Sequence, residues 1–171
     1  MSSKSNFIID IGNSRIKSSE VQDDKILESK TWERLELLVE ALPQNKNTIV
    51  CSVKHNSEQL RNIFGDEVLI FNEHSKLPIQ INYYTQQSLG RDRIASAVGA
   101  HYLFPLEDLL IIDAGSCITY DLLIKNSFEG GLISPGFKMR LKAMHEMTGQ
   151  LPDVTEQSDQ YTWELIGKST A

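Results

Sequence analysis

Two short apolar runs in this chain end in the same kind of turn. Phe7-Ile8-Ile9 leads into Asp10-Ile11-Gly12-Asn13-Ser14, and Leu109-Leu110-Ile111-Ile112 leads into Asp113-Ala114-Gly115-Ser116. Each run has the length and composition of a buried strand, and each delivers an acid, then glycine, then a hydroxyl or amide. A carboxylate at a strand end can meet a hydrated divalent cation, and a glycine lets backbone approach a phosphate. One such turn taken alone is equally an ordinary Asp-X-Gly reversal. Two of them, about a hundred residues apart, point to two related halves facing one cleft with a nucleotide between them.

The surrounding pattern repeats as well. Strands are expected at 7–9, at Arg15–Val21 and at Ile26–Lys30, which together read as a meander. Apolar residues at 35, 38, 39 and 42 predict a helix from Trp32 to Leu42, stopped by Pro43. Thr48–Val53 reads as a buried strand, Asn56–Phe64 as a helix capped by Ser57 and ended by Gly65, and Val68–Phe71 as a short strand. Residues 75–89 look irregular. Arg91–Phe104 turns helical, with small residues for close packing, and Pro105 ends it. The second unit then runs as strand 109–112, strand Cys117–Ile124, strand Phe128–Ser134 and helix Phe137–Met147. Both units follow the order strand, strand, strand, helix, which supports an internal duplication.

Bulk properties narrow the function. The 171 residues are 40% hydrophobic and 23% charged, so the chain can bury a sizeable core. The net charge of -6 comes from 17 basic and 23 acidic residues, with no basic patch, so no nucleic-acid partner is expected. No apolar run is long enough for a bilayer, and Met1–Asn6 has no secretory character, so neither a membrane nor export is expected. Cys51 and Cys117 read as reduced core thiols of a cytoplasmic protein. His55, His74, His101 and His145 have no zinc-ligand spacing.

Several clusters carry chemistry. In the first turn Asp10 would stand near a metal or its water, Gly12 would leave room for phosphate oxygens, and Asn13 and Ser14 would donate to them. Lys17 is a point charge for the terminal phosphates or a solvated strand lysine. Leu89-Gly90-Arg91-Asp92-Arg93 sits where loop becomes helix, and a helix N-terminus favours anions. Asp92 is there either a proton acceptor for a substrate hydroxyl or a helix cap; Arg93 either clamps a carboxylate or is solvated. Gly130-Gly131-Leu132-Ile133-Ser134-Pro135-Gly136 fits a close approach of backbone to a ligand or strand, or a tight strand-to-helix turn. Gly167-Lys168-Ser169 only mimics a P-loop, because Thr162 stands where that motif needs glycine.

Taken in order, these motifs resemble the type III pantothenate kinases. Asp10 through Lys17, Gly90-Arg91-Asp92-Arg93, Asp113-Ala114-Gly115-Ser116 and the glycine run 130–136 are followed by Thr148-Gly149-Gln150-Leu151-Pro152 and Ile166-Gly167-Lys168-Ser169-Thr170. The resemblance runs from residue 7 to the C-terminus. It implies the α/β fold of the acetate and sugar kinase, Hsc70 and actin superfamily, with duplicated ribonuclease H-like (actin-like ATPase) halves around a nucleotide cleft. Residues 1–107 would form the N-terminal half with its phosphate loop, and 108–171 the start of the C-terminal half. It implies phosphorylation of pantothenate by ATP, the first step of coenzyme A synthesis, with magnesium, a monovalent cation (potassium or ammonium) and a homodimer.

Carried over by position, Asp10, Ile11, Gly12, Asn13, Ser14, Arg15, Ile16 and Lys17 would cradle ATP, with Ser116 in place of a more usual threonine. Asp10 would stand beside magnesium, and Asp113 would bind the monovalent cation. Asp92 would be the proton acceptor. Tyr83, Gly90, Arg91, Asp92, Arg93 and Thr170 would contact pantothenate, Tyr84 being the neighbouring candidate for Tyr83. Family chains continue past the Gly-Lys-Ser-Thr segment with a long helix, a further strand and closing helices. The second half is therefore expected to be incomplete at Ala171, to expose an apolar patch and to bind ATP poorly by itself. Two other functions fit the same pattern: a transcriptional regulator of the Bvg accessory factor type, and a superfamily kinase of another small alcohol.

Overall fold

The computed structural model describes residues 5–43 and 47–155. Its elements are β1 (Asn6–Ile11), β2 (Ile16–Gln22), β3 (Lys25–Trp32), α1 (Leu35–Glu40), β4 (Asn47–Ser52), α2 (Ser57–Phe64), β5 (Leu69–Ile70), β6 (Gln80–Ile81), α3 (Arg91–Leu103), β7 (Leu109–Ala114), β8 (Cys117–Ile124), β9 (Ser127–Pro135) and α4 (Phe137–Met147). They build two sheets, one of five strands in the order β3-β2-β1-β4-β5 and one of four in the order β6-β9-β8-β7. The antiparallel meander β1-β2-β3 is matched by the meander β7-β8-β9.

Even the hairpin turns correspond. Asp23 and Asp24, between β2 and β3, have φ of 47° and 62°; Lys125 and Asn126, between β8 and β9, have φ of 47° and 65°. Two consecutive left-handed residues give the turn whose twist suits a two-residue hairpin. Aspartate and asparagine enter that region most easily among residues with a side chain, and Lys125 follows only because the strands impose it.

Alternation along β1 decides which face is core. Ile9 and Ile11 are buried with Leu38, Val50, Leu60 and Ile70, and Trp32, Leu35 and Phe64 pack against them. The residues between them, Ile8 and Asp10, fall on the opposite face. The second sheet has its own cluster of Ile79, Leu89, Ile94, Ala97, Leu123 and Phe128. The chain therefore crosses between sheets before residue 80, and the segment ahead of 108 contributes to both clusters. Helix α3 joins them, packing on β4 of the first sheet and on β7 and β8 of the second. The other face of the second sheet carries Leu110, Ile112, Leu122 and Leu132, all exposed.

Three local expectations change. Trp32 closes β3 instead of opening a helix: its Nε1 donates to Ser18 Oγ on β2 at 2.8 Å, so α1 waits until Leu35. Helix α2 is capped by Asn56, not Ser57. Asn56 Oδ1 accepts from Gln59 N at 2.9 Å while Gln59 Oε1 accepts from Asn56 N at 3.0 Å, a reciprocal capping box. Residues 75–89 are not wholly irregular. Gln80–Ile81 adds a parallel strand beside β9, and Gln86–Ser88 makes one 3-10 turn. A two-residue strand is too short to show a period.

Candidate active site

The two Asp-X-Gly turns lie together. Gly12 N donates to Arg15 O at 3.0 Å in the first, and Gly115 N donates to Cys117 O at 2.9 Å in the second. Their hydroxyls meet, with Ser14 Oγ and Ser116 Oγ 2.6 Å apart across 102 residues of sequence. Helix α4 begins against the second turn. Gly136 N donates to Ser116 O at 3.1 Å, and a Cβ on Gly136 would overlap the carbonyl oxygens of Gly115 and Ser116. The last glycine of the 130–136 run thus serves a backbone-to-backbone approach rather than an approach to ligand.

Sheet register arranges the charges. Asp10 stands opposite Lys17 on β2 and opposite Cys51 on β4, so the three share the face of the sheet turned away from its core. Helix α3 brings Asp92 and Arg91 to the same region. Burial pushes the Asp10 carboxyl above its usual range; Lys17 opposes that, and the carboxylates of Asp92 and Asp113 add to it. Asp92 and Asp113 therefore each lie close enough to Asp10 for their charges to act on it. Burial, with Asp10 and Asp92 adding to it and Arg91 opposing, pushes the Cys51 thiol up to about 12. Cys51 stays a neutral thiol beside the acids, a neighbour that an apolar strand context had concealed.

Among the described residues no group of three or more His, Cys, Asp or Glu is near enough to hold a metal ion by itself. Carboxylates that converge on one region without forming a closed ligand set suit a cation bound jointly by protein and phosphate oxygens, which is how magnesium is usually held.

The loop-to-helix cluster is more structured than a solvated helix end. Gly90 is the N-cap of α3, and a Cβ there would overlap the Asp92 carboxylate, so glycine makes the space that Asp92 occupies. Asp92 Oδ1 accepts from Arg93 N at 2.9 Å. Arg91 Nη2 lies 3.5 Å from Gln87 O and 3.8 Å from Glu73 Oε2. Arg93 does clamp a carboxylate, and that carboxylate belongs to the protein: Asp121, on β8. The hydrogen bonds that Arg93 donates to Asp121 raise its pKa against the effect of burial, and the one it donates to Tyr83 adds to this. Tyr83 packs edge-on against Phe128 with ring centroids 6.3 Å apart, whereas Tyr84 is fully exposed.

Of the residues singled out in the sequence, Asp10, Lys17, Asp92 and Asp113 meet electrostatically and Ser14 meets Ser116. Ile11 is buried beneath the turn and Ile16 pairs with it; Asn13 and Arg15 are exposed at its tip. Thr170 and the Gly167-Lys168-Ser169 segment lie outside the described residues. Sequence reasoning missed Asp121, Phe128 and Cys51. Asp121 alone carried a signal, an acid inside the apolar run Cys117–Ile124 that needs a buried partner.

Comparison with known proteins shows the family. A profile of the type III pantothenate kinase family matches residues 6–171. A type III pantothenate kinase of Cytophaga hutchinsonii is 38% identical over 169 residues, covering 97% of this chain and 71% of that one. One from Flavobacterium psychrophilum is 36% identical over 171 residues, covering 95% and 70%. Among solved structures, a Campylobacter jejuni protein described as a Baf family transcriptional activator superposes with a TM-score of 0.61 at 25% identity, covering 96% of this chain and 69% of that one. An Aquifex aeolicus Ppx/GppA phosphatase superposes at 0.50 with 13% identity, covering 92% and 60%, a likeness of fold alone. The fold is that of the actin-like ATPases. With the family profile and these relatives covering nearly all of it, the chain belongs to the type III pantothenate kinase family.

Proposed function

We infer that this protein transfers the γ-phosphoryl group of ATP to the primary hydroxyl of pantothenate, giving 4'-phosphopantothenate and ADP, the entry step of coenzyme A synthesis. The observation that carries the reading is the meeting of the two turns, Ser14 Oγ to Ser116 Oγ at 2.6 Å, beside the acids Asp10, Asp92 and Asp113.

Phosphoryl transfer asks a protein for positioning and charge neutralisation more than for covalent chemistry. The first turn, Asp10 to Lys17, provides backbone and hydroxyl donors for phosphate oxygens and one lysine for their charge. Ser116 provides the matching hydroxyl from the second turn. Asp92 takes the proton of the attacking hydroxyl as oxygen bonds to phosphorus and the β–γ bridge breaks toward ADP. Tyr83 and the residues Gly90 to Arg93 line the alcohol side, with Thr170 assigned to the same side by its position in the motif. Magnesium, bound with ATP, would neutralise the phosphate oxygens, and Asp10 is the carboxylate we assign to hold it. Asp113 is assigned the monovalent cation, potassium or ammonium.

We assign residues 1–107 to the N-terminal half and 108–171 to the start of the C-terminal half, in a cytoplasmic homodimer. Among the described residues no helix is long and apolar enough to cross a membrane. The regulator reading leaves Asp92 and Lys17 without a task. The test is direct: purified full-length protein, γ-labelled ATP, magnesium and potassium, with and without pantothenate. Labelled phosphopantothenate is the expected product. Its absence from a folded preparation refutes the kinase reading, and label on a different alcohol but not on pantothenate refutes the substrate.

A further inference from the structure

The pair Arg93–Asp121 takes no part in the row of acids that faces phosphate, yet it is the most deeply buried charge pair among the described residues. Arg93 is 7% exposed and Asp121 1%. Arg93 Nε donates to Asp121 Oδ1 at 2.9 Å and to Oδ2 at 3.2 Å, and Nη2 donates to Oδ1 as well. Two charges withdrawn from water in this way are an inefficient source of stability, since apolar residues of similar volume often serve as well or better. What such a pair supplies is a fixed geometry, because a planar guanidinium held at two points cannot swing.

The geometry it fixes belongs to the reacting groups. Arg93 directly follows Asp92, whose Oδ1 accepts from Arg93 N, so anchoring the guanidinium to β8 anchors the turn that presents Asp92. The same guanidinium lies over the Phe128 ring, 5.7 Å from its centroid, and is bonded to Tyr83. The chain also makes room for the pair. Asp121 stands opposite Gly131, where a Cβ would come within 2.6 Å of Asp121 Oδ1 and 2.9 Å of Asp121 Cα. Gly130, at φ 99°, takes a conformation few other residues accept, and a Cβ there would touch the Tyr83 ring at 3.5 Å. The adjacent glycines, which in the sequence suggest an approach to ligand, serve this carboxylate and this ring.

We propose that Asp121 is a positioning residue for phosphoryl transfer: through Arg93 it fixes the first turn of α3, so that Asp92 and Tyr83 meet the alcohol substrate in a single arrangement. The proposal rests on the pantothenate kinase reading above for its choice of substrate.

Asp121→Asn keeps the volume and removes the charge. Two readouts separate positioning from support of the fold. The first is steady-state kinetics with pantothenate and ATP varied in turn. The second is amide hydrogen exchange over residues 89–97 of the protein without substrates. A positioning role lowers kcat/KM for pantothenate roughly tenfold to 10²-fold, leaves KM for ATP within about twofold, and speeds exchange in the first turn of α3. A folded variant with a lower melting temperature but wild-type pantothenate kinetics and wild-type exchange in α3 overturns the proposal.

Where Asp121→Asn does not fold, Arg93→Lys decides. It keeps the buried charges paired but loses the two-point grip, so exchange should rise over 89–97 and not over the first sheet; unchanged exchange overturns the proposal. If the wild-type protein itself makes no phosphopantothenate, the substrate assignment falls, and the exchange measurement still shows whether Asp121 fixes the turn.

Discussion

Gly136→Ala adds one methyl group, and the structure leaves that methyl nowhere to go. Its Cβ would overlap Gly115 O and Ser116 O and lie 2.8 Å from Ser116 C, all backbone atoms that cannot rotate away. Either the start of α4 or the second turn must retreat, by about 1 Å to restore ordinary contact. Forcing a methyl into packed backbone costs about 1–3 kcal/mol. The retreat also stretches the Gly136 N to Ser116 O bond, now 3.1 Å, a further loss of about 1 kcal/mol. Together these come to about 2–4 kcal/mol, which for a chain of this size lowers the melting temperature by roughly 4–16 °C. The displaced turn carries Ser116, so a shift of that size should also reduce turnover by about 10²-fold and weaken ATP binding. Differential scanning calorimetry and steady-state kinetics on the same preparations test both halves. A variant that melts within about 2 °C of wild type and binds ATP normally would mean that α4 and the turn are not held this close in solution, and the argument for Gly136 would fail.

Other substitutions separate the roles of the acids. Asp92→Asn keeps size and removes the base, so kcat should fall by roughly 10²-fold or more with the melting temperature nearly unchanged; a large stability loss with retained turnover would instead make Asp92 a helix cap. Asp10 has a raised folded-state pKa, from burial first, so its contribution to stability is fully present below its ordinary value of 3.8 and is lost as pH rises through the folded value. Asp10→Asn should therefore melt higher than wild type by a margin that grows from acid to neutral pH, while phosphoryl transfer collapses; a margin that shrinks with rising pH refutes the assignment. Asp113→Asn should blunt activation by potassium and ammonium relative to sodium, and equal wild-type activity in all three salts would remove Asp113 from the cation role.

The parts legible in the sequence were those with a strong local signal. The twin turns and both three-strand units could be read because each strand is a continuous apolar or alternating run closed by glycine, aspartate or asparagine. The boundaries at Trp32 and Asn56 could not, because side-chain hydrogen bonds settled each: Trp32 to Ser18, and the reciprocal pair between Asn56 and Gln59. Strand β6 has two residues and exists only because β9 offers it an edge. The site shows the same division. That the two turns would face each other followed from their repetition, but the partner of Arg93 lay 28 positions further on, hidden in a strand that otherwise reads as plain core. Cys51 entered the site through the parallel register of β1 and β4, and register between distant strands leaves no trace in local periodicity.

The distance along the chain between Ser14 and Ser116 also bears on how the molecule comes together. Each meander pairs strands that are neighbours in sequence, so both can form early and at little loop-closure cost. The hydroxyl contact joins residues 102 positions apart and can form only once α3 has seated one sheet against the other. Secondary structure in this protein is thus a poor reporter of competence. During refolding, circular dichroism should recover with the two meanders before the capacity to transfer phosphate returns; simultaneous recovery of the two signals would refute this order.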